Sequence, residues 1–257
     1  MGPLKSLALA LSCFSRIPVP HMEWDSDNMR FILAWLPVVG LIVGAFTALW
    51  WFIVEAAGFG TVLKAAGVAL VPLVVTGGFH LDGFADVTDA LASNAEPDRK
   101  RAILKDSHIG AFAAMGVAAY VVAYFAIATE LPDGWRVAAL LVCLHVMSRC
   151  GSAFASTLFF GNGTSGMLTS FRDSTDVRLT VAIVVVIFTV TGICAIVVAP
   201  LCGLLMIVVE ALLLVWLNWF AQRNFGGMSG DVAGFFLQLC ELLLLVCIVI
   251  GAKAVGL

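Results

Sequence analysis

Three carboxylates, Asp82, Asp86 and Asp89, stand in the stretch Thr76-Gly77-Gly78-Phe79-His80-Leu81-Asp82-Gly83-Phe84-Ala85-Asp86-Val87-Thr88-Asp89-Ala90-Leu91, directly after an apolar run. If the stretch is helical, their i, i+4 and i+7 spacing puts all three on one face, because 3.6 residues complete a turn. Like charges so placed repel by about 0.2–0.5 kcal/mol per pair in water, and by more where water is scarce. A divalent cation between them would remove that repulsion. Carboxylate oxygens are hard ligands, and one or two of them on Mg²⁺, with a substrate phosphate supplying others, is the usual arrangement in phosphoryl-transfer sites. A solvated helix end whose acids face water fits the same spacing. His80 lies two residues before Asp82, so on a helix it points elsewhere, and a structural hydrogen bond suits it better than ligation.

Further polar groups interrupt runs that are otherwise apolar, where ionisable residues are functional candidates by default. His145, Arg149, Ser152 and Ser156 recur at i, i+4, i+7 and i+11 on one continuous face. An arginine facing into a bundle either binds phosphate or pairs with an acid. Asp231, Gln238 and Glu241 share another face, preceded by Gly226, Gly227 and Gly230. Those glycines allow close backbone approach of a phosphate to a helix N-terminus, and Asp231 suits either an N-cap or a further metal ligand. Glu210 has no helical neighbour of opposite charge and is a candidate partner for Arg149. Lys105, Asp106 and His108 can contact phosphate, ligate metal or shuttle protons, or form an ordinary interfacial charge cluster. Walker A, G-x-G-x-x-G and H-E-x-x-H are all absent, which argues against an ATPase, a Rossmann enzyme or a zinc protease.

The elements that must position these groups are membrane helices. The 257 residues are 61% hydrophobic and 12% charged, with a mean hydropathy of +1.05, far from the averages of soluble domains. Runs of about 20 apolar residues cross a bilayer core of about 30 Å, and backbone groups in lipid must pair internally, so the runs are helices. Pro3 to Phe14 reads as a short interfacial helix, followed by a linker that Pro18 and Pro20 keep out of helix. The expected spans are Met29 to Gly58, Thr61 to Phe79, Gly110 to Thr129, Trp135 to Phe160, Val177 to Ala199, Leu201 to Ala221 and Val232 to Lys253. Gly40 and Gly44 predict a close helix contact in the first, and Gly161 to Asp176 and Gln222 to Asp231 read as polar loops. The fold class is therefore all-α, a polytopic integral membrane bundle of about seven transmembrane helices plus the N-terminal interfacial helix, in one domain over residues 1–257.

Charge placement orients the bundle. With the N-terminus inside, Lys5, Arg16, Arg30, Arg99, Lys100, Arg101, Lys105, Arg172, Arg178 and Arg223 fall on the inner side and Lys64, Arg136 and Lys253 on the outer. The acidic stretch and the Lys105, Gly161 and Gly226 loops then gather on the cytoplasmic face. Basic residues are few and scattered, so nucleic acid is not an expected partner. The seven cysteines lie mostly in apolar runs without a C-x-x-C pair and read as packing residues. The N-terminus lacks the pattern of a removed signal peptide, so the first helices are expected to direct insertion.

Gly77-Gly78-Phe79-His80-Leu81-Asp82-Gly83-Phe84-Ala85-Asp86 with Asp89 resembles the signature of the cobalamin synthase, or adenosylcobinamide-GDP ribazoletransferase, family. Phe14-Ser15-Arg16-Ile17-Pro18-Val19, Pro37-Val38-Val39-Gly40, Ile103 to Phe112, and Gly230-Asp231-Val232-Ala233-Gly234 ahead of Glu241 match in the family's order over nearly the whole chain. The chain departs from the pattern at His108, where arginine is expected, and at Val232-Ala233, where Thr-Leu is more usual.

The resemblance implies a Mg²⁺-dependent integral membrane transferase. α-Ribazole, or its 5'-phosphate, would attack the cobinamide-linked phosphorus of adenosylcobinamide-GDP, releasing GMP and closing the nucleotide loop of coenzyme B12. On that reading Asp82, Asp86 and Asp89, with Asp231, hold Mg²⁺ against the diphosphate. Lys105 or Arg149 neutralises phosphate oxygens, and one Asp takes the proton of the attacking hydroxyl. His80, Asp106, His108, Arg149, Gly230 and Glu241 are the remaining substrate-binding candidates. The Asp-rich motif also looks like that of CDP-alcohol phosphotransferases, with different spacing. A lipid enzyme of that kind and an ion-coupled transporter are the competing readings.

Overall fold

The computed structural model describes residues 2–20, 22–106, 108–159, 161 and 166–256. Residues 162–165 of the expected Gly161 to Asp176 loop, Phe160 at the expected end of the fourth span, Ser107 of the Lys105 cluster and His21 of the linker lie outside the described residues. Among the described residues there are twelve helices and no strand: α1 Gly2–Phe14, α2 Ser26–Met29, α3 Leu36–Ala56, α4 Thr61–Thr76, α5 Phe79–Ala92, α6 Pro97–Ile103, α7 Ala111–Ala128, α8 Trp135–Leu158, α9 Met167–Ser174, α10 Val177–Val198, α11 Pro200–Phe225 and α12 Gly230–Val255. Six of them, α3, α7, α8, α10, α11 and α12, are long and apolar enough to cross a membrane, and a bent pair, α4 with α5, makes a seventh crossing if counted as one span. The chain is a multi-pass membrane protein.

Helix α8 runs through the centre, with Leu140, Leu141, Leu144 and Met147 all fully buried, and α3, α10 and α12 pack around it. The outer helix α10 instead exposes Val186, Val190, Ile193 and Val197, the side chains lipid would cover. Gly40 and Gly44 bring α3 onto α8 as expected. A Cβ at Gly44 would sit 2.7 Å from the Val142 Cα, and one at Gly40 would sit 2.6 Å from the Arg149 Cδ, distances only glycine allows.

The expected second span, Thr61 to Phe79, ends early. Gly77 and Gly78 take φ of +66° and +77°, a left-handed pair that stops a helix cheaply only when both residues lack a Cβ. Both amides turn back toward α4, Gly77 N and Gly78 N donating to Leu73 O. The chain then starts α5 at an angle of 97° to α4. The acidic stretch is thus a separate helix and not the frayed end of a span.

Three further differences have local causes. Pro37, placed inside the first span by the sequence, sits in the first turn of α3, where its missing N–H is harmless. The expected Gly161 to Asp176 loop contains α9, whose Leu168 and Phe171, three residues apart, are buried on the bundle. Within the expected polar linker, Asp25 caps α2 by accepting from Asn28 N at 2.7 Å.

Candidate active site

Asp82, Asp86 and Asp89 all belong to α5, so their spacing does place them along one side of a helix. The same helix docks on α12 through its smallest residues. A Cβ at Gly83 would meet Asp231 O at 2.8 Å and one at Gly234 would meet His80 O at 2.9 Å. This close crossing sets Asp231 beside the acidic side of α5, and the charges of Asp82, Asp231 and Asp89 all bear on Asp86. None of these four acids forms an ion pair among the described residues. Of the two roles open to Asp231, the cap falls to Ser229, whose side chain accepts from Val232 N at 3.2 Å.

Asp89 has a second task. Its Oδ1 accepts from Ala113 N at 3.1 Å, which ties α5 to the first turn of α7 and satisfies a donor that the helix start leaves open. Gly110 is required there because a side chain would run into the Asp89 carboxylate.

Among the described residues no three His, Cys, Asp or Glu side chains converge closely enough to form a ready-made metal cage. The arrangement fits a hard cation bound in another way. Acids that repel one another, with Asp82 exposed beside them, suit Mg²⁺ held by one or two carboxylates, with phosphate oxygens and water completing the shell. Asp82 opens into a cavity of about 570 Å³, lined also by Ser12, Ser15, Arg16, Gly77, Gly78 and Ile109.

The structure separates the other candidates from this cavity. Arg149 is 1% exposed and ion-paired to Glu241, whose Oε1 also lies 2.8 Å from His145 Nδ1. Arg149 NH1 further donates to Ser148 Oγ at 3.1 Å and His145 O at 3.2 Å. This buried cluster joins α8 to α12, and Glu241, not Glu210, is the partner of Arg149. Glu210 is buried beside Cys240 and forms no ion pair among the described residues.

His80 is buried, stacked on Phe14 at 6.0 Å and edge-on to Phe79 at 5.3 Å. Its Nε2 has no hydrogen-bond partner among the described residues, so the expected structural hydrogen bond at that nitrogen is not present. Gly230 and His80 line a second, smaller cleft with Ser152, Ser156 and Phe171.

Lys105, Asp106 and His108 are exposed on the loop between α6 and α7. Asp106 Oδ1 accepts from His108 N at 3.0 Å and lies 2.7 Å from His108 Nδ1. These hydrogen bonds hold the Asp106 carboxyl below the usual carboxylate range. Nearby, Lys100 Nζ donates to Asn224 Oδ1 at 2.9 Å and Arg101 NH1 to Phe225 O at 3.1 Å. Gly161 bridges to Met228, so the loops following α5, α8 and α11 meet at one end of the bundle.

Sequence reasoning missed Arg16 as a wall of the main cavity. The available signal was a cation held in the rigid Ser15-Arg16-Ile17-Pro18-Val19-Pro20 segment, outside both helix and lipid.

A family model described as Cobalamin-5-phosphate synthase matches residues 6–249. Adenosylcobinamide-GDP ribazoletransferase of Lachnoclostridium phytofermentans is 31% identical over 248 residues, 96% of this chain and 94% of that protein. The protein of the same name from Clostridium botulinum strain Alaska E43 is 33% identical over 245 residues, covering 93% and 94%. Its namesake in Listeria welshimeri is 29% identical over 252 residues, covering 96% and 98%. None of these names is that of a transporter or a lipid synthase. No solved structure matches the chain. With the family model matching residues 6–249 and relatives more than 30% identical over more than nine-tenths of both chains, the chain belongs to the cobalamin-5-phosphate synthase family.

Proposed function

We propose that this protein is an adenosylcobinamide-GDP ribazoletransferase that joins α-ribazole, or its 5'-phosphate, to adenosylcobinamide-GDP and releases GMP. The observation that carries the reading is the set of carboxylates on α5 and at the start of α12 that form no ion pair among the described residues, one of which, Asp82, lines a cavity large enough for a diphosphate. Membership of the family supports the same reaction. The cavity-bearing end, where Lys100, Arg101 and Lys105 lie, is proposed to face the cytoplasm of a bacterial inner membrane.

In this reading Asp82, Asp86 and Asp231 hold Mg²⁺, and Asp89 holds α5 against α7 while its second oxygen stays available. The ion, when bound, neutralises charge that develops on the leaving phosphate. The chain's own residues supply position. The close crossing at Gly83 and Gly234 keeps the carboxylates of two helices together, and the 97° bend turns α5 out of the line of α4. An acid of α5 within reach of the attacking hydroxyl takes its proton.

The test is GMP release by the purified protein in detergent from adenosylcobinamide-GDP and α-ribazole, with and without EDTA. Release in the absence of EDTA, and its loss on chelation with recovery on adding Mg²⁺, is the expected result. Asp82→Asn, Asp86→Asn and Asp89→Asn proteins all working at near wild-type rates would remove the metal role, and no GMP release under any condition would remove the function.

A further inference from the structure

We propose that Arg16 is a substrate-binding residue, its guanidinium taking phosphate oxygens of a ligand lodged between it and Asp82. The assignment rests on the proposed function for the identity of the ligand, and on the cavity itself for its chemistry. Of the described side chains lining the 570 Å³ cavity, Arg16 is the one cation and Asp82 the one acid. They are not ion-paired to one another, and Arg16 makes no side-chain hydrogen bond or ion pair among the described residues. An exposed arginine beside an acid, each left open, presents two unmet charges to whatever enters.

The placement of Arg16 is built and not incidental. Its amide donates to Val75 O at 2.8 Å, which pins the linker to the end of α4. Ser15 Oγ donates to Leu11 O at 2.6 Å and accepts from Ile17 N at 3.3 Å, holding the chain on either side. The side chain lies across Gly77, where a Cβ would come 2.8 Å from Arg16 Cγ. The glycine that ends α4 thus also clears the floor under the guanidinium. Ser12 beside it adds a hydroxyl to the same wall, while the Ser15 hydroxyl proton is already given to Leu11 O. A planar guanidinium with five donors matches phosphate oxygens in pairs, which an ammonium does not. Arg149, the other arginine considered for this task, is already paired with Glu241.

Two substrates offer phosphate oxygens here, the diphosphate of the donor and the 5'-phosphate of a phosphorylated acceptor. Arg16→Gln and Arg16→Met are compared with wild type, using whichever elutes and melts like it, and Arg16→Lys serves as the conservative variant. KM for the donor is measured with α-ribazole and with α-ribazole 5'-phosphate. Loss of one charge-assisted contact is expected to raise KM about 10- to 100-fold, with part of the loss recovered in Arg16→Lys. A raised donor KM with both acceptors identifies the diphosphate, and a raised KM for the phosphorylated acceptor alone identifies the 5'-phosphate. Unchanged KM values for every substrate in a folded variant overturn the assignment.

A second readout needs no turnover: inorganic pyrophosphate is expected to raise the melting temperature of wild type and not of Arg16→Gln or Arg16→Met. Should wild type release no GMP yet keep this Arg16-dependent stabilisation, the proposed function falls and the phosphate site stands. Equal stabilisation of wild type and variants, or none of either, removes the site.

Discussion

Glu241 and Asp82 are both carboxylates on helices of one bundle, and the fold treats them in opposite ways. Glu241 is 2% exposed and is met by His145 and Arg149, with Ser148 and a backbone carbonyl taking up further guanidinium protons. Asp82 is exposed to a cavity, shares its surroundings with Asp86 and Asp231, and has no ion pair among the described residues. A charge matched inside the bundle is a structural joint, costly to break because its partner is left alone in a poor solvent. An unmatched set of like charges adds nothing to stability, and its presence points to a ligand that supplies the missing charge.

The comparison breaks if removing the unmatched acids leaves activity intact, which makes this the first experiment. Asp82→Asn and Asp86→Asn are expected to lower GMP release on the order of 100- to 1,000-fold, while melting temperature in detergent holds or rises because repulsion is relieved. A fall in melting temperature with normal activity would reverse the two roles. The matched cluster should behave the other way. Arg149→Met is expected to destabilise by about 3–5 kcal/mol by stranding Glu241, measured as a drop in thermal midpoint, and the double variant Arg149→Met/Glu241→Leu should recover much of it.

A smaller effect probes how the two regions are joined. Gly83→Ala puts a methyl 2.8 Å from Asp231 O, so α5 must move off α12 at a cost of about 1–3 kcal/mol. GMP release should fall with it, since the move separates Asp231 from the acids of α5. The smallest change is expected at the exposed loop. His108 holds the Asp106 carboxyl low by hydrogen bonding. The folded value lies below the unfolded one, so the stabilisation is present above the unfolded value and is lost as pH falls through the folded value. His108→Ala should move the Asp106 titration up toward the ordinary carboxylate range, read by carboxyl carbon NMR, with no measurable change in melting temperature.

Several features were legible from residues alone because they depend on local composition or on period. Apolar runs from 111 to 128 and from 177 to 198 can satisfy their backbone in lipid only as helices, and Gly40 and Gly44 announced the α3 to α8 contact. The i, i+4, i+7 spacing of the α5 acids announced a shared face. The bend was harder to see, because the Gly77-Gly78 pair reads equally as a flexible span end until the left-handed conformation of both residues is known. The short helix α9 was missed because Leu168 and Phe171 give too few apolar positions to mark a period.

Pairing across helices depended on tertiary structure. Glu210 and Glu241 are both single acids in apolar runs, and only the rotation of α11 and α12 about their axes brings Glu241 to Arg149 and leaves Glu210 beside Cys240 with no ion pair among the described residues. Likewise, the capping of α7 by Asp89 and the arrival of Arg16 beside Asp82 join residues many positions apart. The sequence by itself determined a multi-pass helical bundle and the shared side of the α5 acids, since hydropathy and helical period are properties of neighbouring residues. Which charges are neutralised and which stay open was decided by the packing of helices, because an ion pair needs a few ångströms of proximity that no spacing along one chain segment specifies.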